Sequence, residues 1–244
     1  MTKNRRLFFI LLLVIVGIAV IFALLFYHGF LQINAFGVAP YDVRGVDVSA
    51  YQGEIDWAVL TAQGIDFAFV KATEGSTFVD KTFGYNFEQA RNAGLVVGAY
   101  HFFSIDSSPY TQAENIISTV RLQTGDLPIV IDFEIAAGFA DTPAADTIRA
   151  DLSTLLELLT EEYQKKPILY ATEEAYDAFL QEGYGEYLLW IRSVYRKPQL
   201  PENRNWTFWQ YSSRGRMDGF SGDEKFIDLN VFVGNRGELM ALCV

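Results

Sequence analysis

Residues 127–134 read LPIVIDFE, an apolar run rich in β-branched side chains that leads straight into two carboxylates, Asp132 and Glu134. Such a run suits a strand buried on both faces. Side chains at i and i+2 of a strand share a face, so the two acids are expected to point the same way, about 7 Å apart along the chain. Like charge and partial desolvation raise one carboxyl pKa and leave its neighbour ionised. That is the starting condition for acid-assisted cleavage of a glycosidic bond.

Other polar side chains stand near the ends of predicted strands. They are Asp47 in GVDVS, Lys71 and Glu74 in FVKATEG, Tyr100 and His101 in GAYHFF, Tyr170, Trp190, Gln210 and Tyr211 in FWQYS, and Asp228 in FIDLN. Carboxylates interleaved with Trp, Tyr and Phe fit a saccharide cleft, where rings stack on sugar faces while acids do the chemistry. Several of these residues have plainer readings. His101 lies in an apolar strand and reads as a satisfied core histidine. Lys71 suits an ion pair with an acid as well as a substrate contact, and Glu74 before Gly75 reads as a loop charge. Trp57, Trp190, Trp206 and Trp209 are individually core candidates.

The elements that must position these groups alternate. Strands are expected over 44–49, 67–73, 95–103, 127–134, 168–172, 187–193, 206–211 and 226–232. Helices are expected over 56–63, 82–93, 110–122, 144–164 and 173–182. Gly64, Gly94, Gly125 and Gly183 sit just past the predicted ends of four helices, and Pro143 suits the first position of another. About eight strands alternating with helices predict a (β/α) TIM-like barrel with its active site at the C-terminal ends of the strands. The helices vanish after Tyr187, so the barrel should be irregular in its last third.

The first 40 residues differ from the rest. Residues 7–27 are apolar without a charge, and 21 residues at roughly 1.5 Å each span about 30 Å, the hydrocarbon thickness of a bilayer. Lys3, Arg5 and Arg6 precede this run, and the first acid is Asp42. The expectation is a transmembrane signal-anchor over 1–29, a linker over 30–41 and a catalytic domain over 42–244. The N-terminus is expected to be cytoplasmic and the domain extracytoplasmic, in a single-pass membrane protein. A cleaved signal peptide, with an indifferent site near Ala39, is the competing reading.

Beyond residue 40 the chain has 16 basic against 30 acidic residues, a net −14, which argues against nucleic acid or anionic lipid as the main partner. Cys243 is the single cysteine, which leaves no internal disulfide, and two histidines are too few for a His-based metal site. No metal or cofactor is expected.

Six motifs in order, GVDVSAYQGEIDW (45–57), GIDFAFVKATEG (64–75), AGLVVGAYHFF (93–103), LPIVIDFE (127–134), WQYSS (209–213) and IDLNVFVG (227–234), resemble the glycoside hydrolase family 25 lysozymes, the muramidases of Chalaropsis and phage-endolysin type. The resemblance implies a modified (β/α) barrel that hydrolyses the β-1,4 bond between N-acetylmuramic acid and N-acetylglucosamine in peptidoglycan. It also implies Glu134 as general acid, Asp132 as companion carboxylate, Asp47 and Asp228 as further cleft acids, and Tyr100 as a cleft tyrosine. Retention through the substrate's own acetamido group, or inversion with an Asp as base, both stay open. So do a non-catalytic glycan-binding role and hydrolysis of another N-acetylhexosamine polymer such as chitin. The chain departs from the family pattern at Arg192 and in the charged segment GFSGDEKF before Asp228.

Overall fold

The computed structural model describes residues 3–244. The predicted strands form, as β1 Arg44–Val48, β2 Phe67–Glu74, β4 Val96–Phe102, β5 Val130–Asp132, β6 Ile168–Thr172, β7 Leu188–Arg192, β8 Phe208–Gly215 and β9 Ile227–Phe232. One further strand, β3 Phe78–Val79, folds back on the end of β2 as a short hairpin. The helices are α1 Lys3–Tyr27, α2 Ala35–Val38, α3 Trp57–Ala62, α4 Phe83–Asn92, α5 Pro109–Thr119, α6 Ala145–Tyr163, α7 Glu173–Ala175 and α8 Arg236–Ala241.

Eight strands close into a barrel in the order β1-β2-β4-β5-β6-β7-β8-β9, with β9 returning to β1. All neighbours from β1 round to β8 pair in parallel. β9 is antiparallel to both β8 and β1. The expected irregularity is therefore a reversed last strand, and its start, rather than its end, lies at the mouth formed by the C-terminal ends of the other strands. β5 is shorter than its sequence suggests because Pro128 has no N–H to give to a ladder. Only Val130–Asp132 pair regularly, while Leu127 and Phe133 each add one bond, to Val97 and Tyr170.

Strand alternation separates two cores. One face of each strand packs outward against the helices, as Val46, Ala68, Val97, Ile131, Leu169, Ile191, Trp209 and Val231 do. The other fills the barrel with Phe67, Phe69, Val96, Val130, Ile168, Trp190, Phe208 and Phe232, and Leu239 of α8 packs into the same cluster. The rings interlock, with Phe69 stacked on Trp190 at 4.3 Å between centroids and edge-on to Phe208 at 5.2 Å. Gly45 and Gly98 make room for them, since a Cβ there would stand 2.3 Å from Phe67 and 2.7 Å from Phe69. The lower barrel is thus a dry aromatic plug that leaves only the mouth for polar groups.

Between β7 and β9 the described chain carries, apart from β8, only a 3-10 turn, Pro201–Asn203. The outer face of β8 is covered instead by residues 30–41, which are bound to the domain rather than spanning freely to it. Asn34 donates to the carbonyls of Ser193 and Tyr211 at 3.2 and 2.9 Å. Val38 is buried in the outer core, and Tyr41 packs edge-on to Trp206 and Trp209. Trp209 is left fully buried.

Helix ends differ from expectation in small ways. Gly64 and Gly94 follow helix C-caps directly, whereas Gly125 and Gly183 turn a few residues further on, all with positive φ. α6 begins two residues after Pro143, past a turn in which Thr142 accepts from the Ala144 N–H. The helix expected over 173–182 is one α-turn followed by a π-turn, Tyr176–Leu180.

Candidate active site

At the mouth a cleft of about 390 Å³ is lined by Asp47, Lys71, Tyr100, Asp132, Glu134, Tyr170, Trp190, Gln210 and Asp228. Of the twelve candidates named from the sequence nine meet there, and Glu74 and His101, read as a loop charge and a core histidine, do not line it. Nor does Tyr211, because it follows Gln210 and alternation sends its ring outward against Trp209 into the outer core. Arg192, Glu224 and Phe226, which belong to the two departures from the family pattern, line the same cleft. A larger hollow of about 820 Å³ lies on the flank near Trp57 and Phe220 and contains none of these strand-end acids.

Four carboxylates share the cleft, in different surroundings. Asp47 and Asp228 are direct cross-strand partners on β1 and β9, so their side chains leave the backbone side by side. Gln210 lies between them, its Nε2 donating to both Asp47 oxygens at 3.1 and 2.9 Å and to Asp228 at 3.0 Å. Asn230 donates to Asp47 at 2.7 Å and accepts from the Trp190 indole at 2.8 Å. Burial pushes the Asp47 carboxyl up to about 6, against the pull of the Asn230 and Gln210 hydrogen bonds. Asp228 is raised well above the usual carboxylate range by burial and by Asp47 beside it.

The LPIVIDFE pair divides by exposure. Asp132 ends β5 and is buried, while Glu134 lies beyond the ladder and is exposed to the mouth. Both line the cleft, with Phe133 between them turned into the outer core. Burial first, then Glu134 and Asp47, push the Asp132 carboxyl well up. Its Oδ1 is buried and accepts no hydrogen bond from the described residues, which leaves it able to accept one from a water or a bound group. The Tyr170 hydroxyl lies 3.1 Å from Glu134 Oε1 and 2.9 Å from Gln210 Oε1. Gln210 Nε2 is committed to the two aspartates, so Oε1 is the amide atom left to face Tyr170.

Lys71 pairs with Glu74 at 2.7 Å and lies 5.2 Å from the Phe102 ring centroid, so it is an ion-pair partner that also edges the cleft. Glu74 is accordingly a salt-bridge member rather than an idle loop charge. His101 is satisfied in the core between Thr73 and Gln112, and burial lowers its pKa to about 4. Trp57, Trp206 and Trp209 are core as well. Trp190 is both core and cleft floor. Asn230, absent from the sequence reading, had a signal: it lies two residues from Asp228, with the same spacing that unites Asp132 and Glu134.

A barrel that gathers buried and exposed carboxylates with aromatic walls at its C-terminal mouth is the arrangement that glycoside hydrolysis uses. Residues 46–220 match the model of glycosyl hydrolases family 25, and the chain belongs to that family. It is 36% identical to the uncharacterized Escherichia coli protein YegX over 88% of this chain and 79% of that one. It is 33% identical to lysozyme M1 of Streptomyces globisporus over 84% and 74%. Among solved structures, a family 25 glycosyl hydrolase from Bacillus anthracis superposes with a TM-score of 0.78 at 49% identity, covering 84% of this chain and 95% of that chain.

Proposed function

We propose that the protein is a membrane-anchored N-acetylmuramidase that cuts the β-1,4 bond between N-acetylmuramic acid and N-acetylglucosamine in peptidoglycan. Single-pass insertion with an extracytoplasmic barrel is part of the proposal. It is supported by the helix from Asn4 to Tyr27, within which an 18-residue stretch has a mean hydropathy of 3.4 and no buried residue. The family relationship supports the reaction, and lysozymes recur among the relatives, including one from Streptomyces coelicolor at 29% identity and TM-score 0.72.

The observation that carries the mechanism is the unlike pair at the end of β5 and just beyond it. Glu134, exposed at the mouth and touching Tyr170, is the proposed proton donor to the leaving oxygen. Tyr170 has one proton to give; when Gln210 takes it, the phenolic oxygen faces Glu134 as an acceptor suited to a carboxyl O–H. Asp132, with a buried oxygen unpaired, is the proposed partner of the substrate's acetamido N–H, steering the acetamido oxygen toward the anomeric carbon. The nucleophile then comes from the substrate, as in the substrate-assisted glycosidases. Asp47 and Asp228, tied through Gln210 and Asn230, are proposed to hold the sugar ring and balance charge as the oxocarbenium develops.

The full chain in detergent, given purified peptidoglycan, is expected to release new reducing ends, and Glu134→Gln is expected to lower that rate by about 10²–10⁴-fold. No reducing ends from the wild-type chain would end the enzymatic reading, and an active Gln variant would end the assignment of Glu134. Parallel incubation with chitin oligomers is expected to give little product. Faster cleavage of chitin than of muropeptides would move the substrate class.

A further inference from the structure

The turn that leaves α1 is clasped by the rim of the catalytic mouth. Arg216 donates to the His28 carbonyl at 2.9 Å and Arg214 to the Tyr27 carbonyl, so two side chains from the end of β8 and just beyond bind carbonyls that the helix terminus leaves free. The Arg216 guanidinium lies 4.3 Å from the Phe30 ring centroid. Gly29 turns with φ +72°, and a Cβ there would stand 2.6 Å from the Arg214 carbonyl and 2.8 Å from the Phe226 ring. Phe226 also lines the cleft. The exit of α1 and the active site therefore share a wall.

Beyond that turn the chain shows two faces. Asn34 and Val38 are 5% and 3% exposed against β8. Phe30, Ile33 and Phe36, spaced three apart, are 63%, 51% and 94% exposed. We propose that Phe30, Ile33 and Phe36 seat in the lipid interface, holding the barrel against the bilayer with its mouth rim at the membrane surface. The occupant follows from continuity: the apolar face begins three residues after a 24-residue apolar helix ends. Aromatic and branched apolar side chains at that depth fit the boundary of headgroups and acyl chains. This rests on α1 being a membrane anchor. It narrows the substrate to glycan lying next to the membrane, because a clasped barrel cannot swing outward on a tether.

The test uses the full chain with Cys243→Ser and a single new cysteine at Phe36, at Ile33 or, as a control, at exposed Asn92, which ends α4 at the opposite end of the barrel. Each carries an environment-sensitive fluorophore and is reconstituted into phosphatidylcholine vesicles doped with brominated lipid. Labels at 36 and 33 are expected to lose at least half their emission to the quencher, and the label at 92 less than a tenth. A protein that floats with the vesicles while its label at 36 is quenched no more than that at 92 overturns the lipid seat and leaves the anchor standing. A chain that fails to float after an alkaline wash overturns the anchor, and the seat with it.

Discussion

At the scale of single residues, Asp132 carries a cost in the folded state, a buried carboxyl whose Oδ1 accepts no hydrogen bond from the described residues. Burial raises its carboxyl well above the usual range, so the folded form binds a proton more tightly than the unfolded chain. Stability on this account is full below the unfolded carboxylate pKa and falls as pH climbs. Asp47 behaves likewise, its contribution fading between about 4 and about 6. Asp132→Asn removes the buried charge without breaking a hydrogen bond at Oδ1. Calorimetry should therefore show a higher Tm than wild type at pH 8, by a few degrees, and no difference near pH 3, together with a loss of hydrolysis of about 10²-fold or more. An unchanged Tm at pH 8 would mean that the carboxylate is not penalised by burial. Tyr170→Phe keeps the ring against Trp190, 4.4 Å between centroids, and removes the hydroxyl between Gln210 and Glu134. We expect kcat to fall about 10- to 100-fold with KM little changed, read by steady-state kinetics on soluble muropeptides. Asp132 and Glu134 were legible as a same-face pair from strand alternation, whereas Asp47 and Asp228 were marked as cleft acids by the family resemblance. Tyr211 was misplaced because a motif was read as a block, WQYSS, when alternation puts neighbours on opposite faces. Asn230 went unseen because a neutral amide carries no obvious chemistry until its partners, Asp47 and Trp190, are known.

At the scale of elements, the outer face of β8 shows what periodicity cannot reveal. The alternation of strands and helices was readable because β-branched runs and capped helices leave local signals. The reversal of β9 was not, since strand direction depends on the connections at both ends. α8 did have a signal, a capping box in which Asn235 and Glu238 bond each other's backbone N–H, hidden by its short length. Residues 30–41 looked like linker because they hold Gly37, Pro40 and no long periodic run, yet they replace the helix missing from the barrel's last third. A chain starting at Tyr41 would lose the burial of Val38 and both Asn34 bonds, and would expose Trp209. That should cost about 3 kcal/mol and lower Tm by roughly 6–12 °C relative to a chain starting at Gly29, measured by thermal unfolding of the two truncations. Equal Tm values would show that this segment does not stabilise the barrel.

At the scale of the whole molecule, charge and closure matter. The chain beyond residue 40 carries a net −14 and its proposed polymer is also rich in carboxylates. Screening should therefore help the encounter: kcat/KM on peptidoglycan is expected to rise severalfold between about 10 and 150 mM salt as the Debye length shrinks from about 30 to 8 Å. A rate that falls with salt would point to an attractive patch instead. The reversed last strand has a different consequence, one of timing. β1 pairs with β2 on one side and β9 on the other, so the first strand of the barrel waits for the last. Asp47 has no Asn230, Gln210 has no Asp228 to bridge and the cleft has no final wall until residue 232 is in place. A chain made from its N-terminus first therefore passes through synthesis with β1 unpaired on one side and an incomplete cleft. The proposed wall-cutting activity cannot begin on a half-made chain; the order of the strands delays it until the barrel is nearly complete.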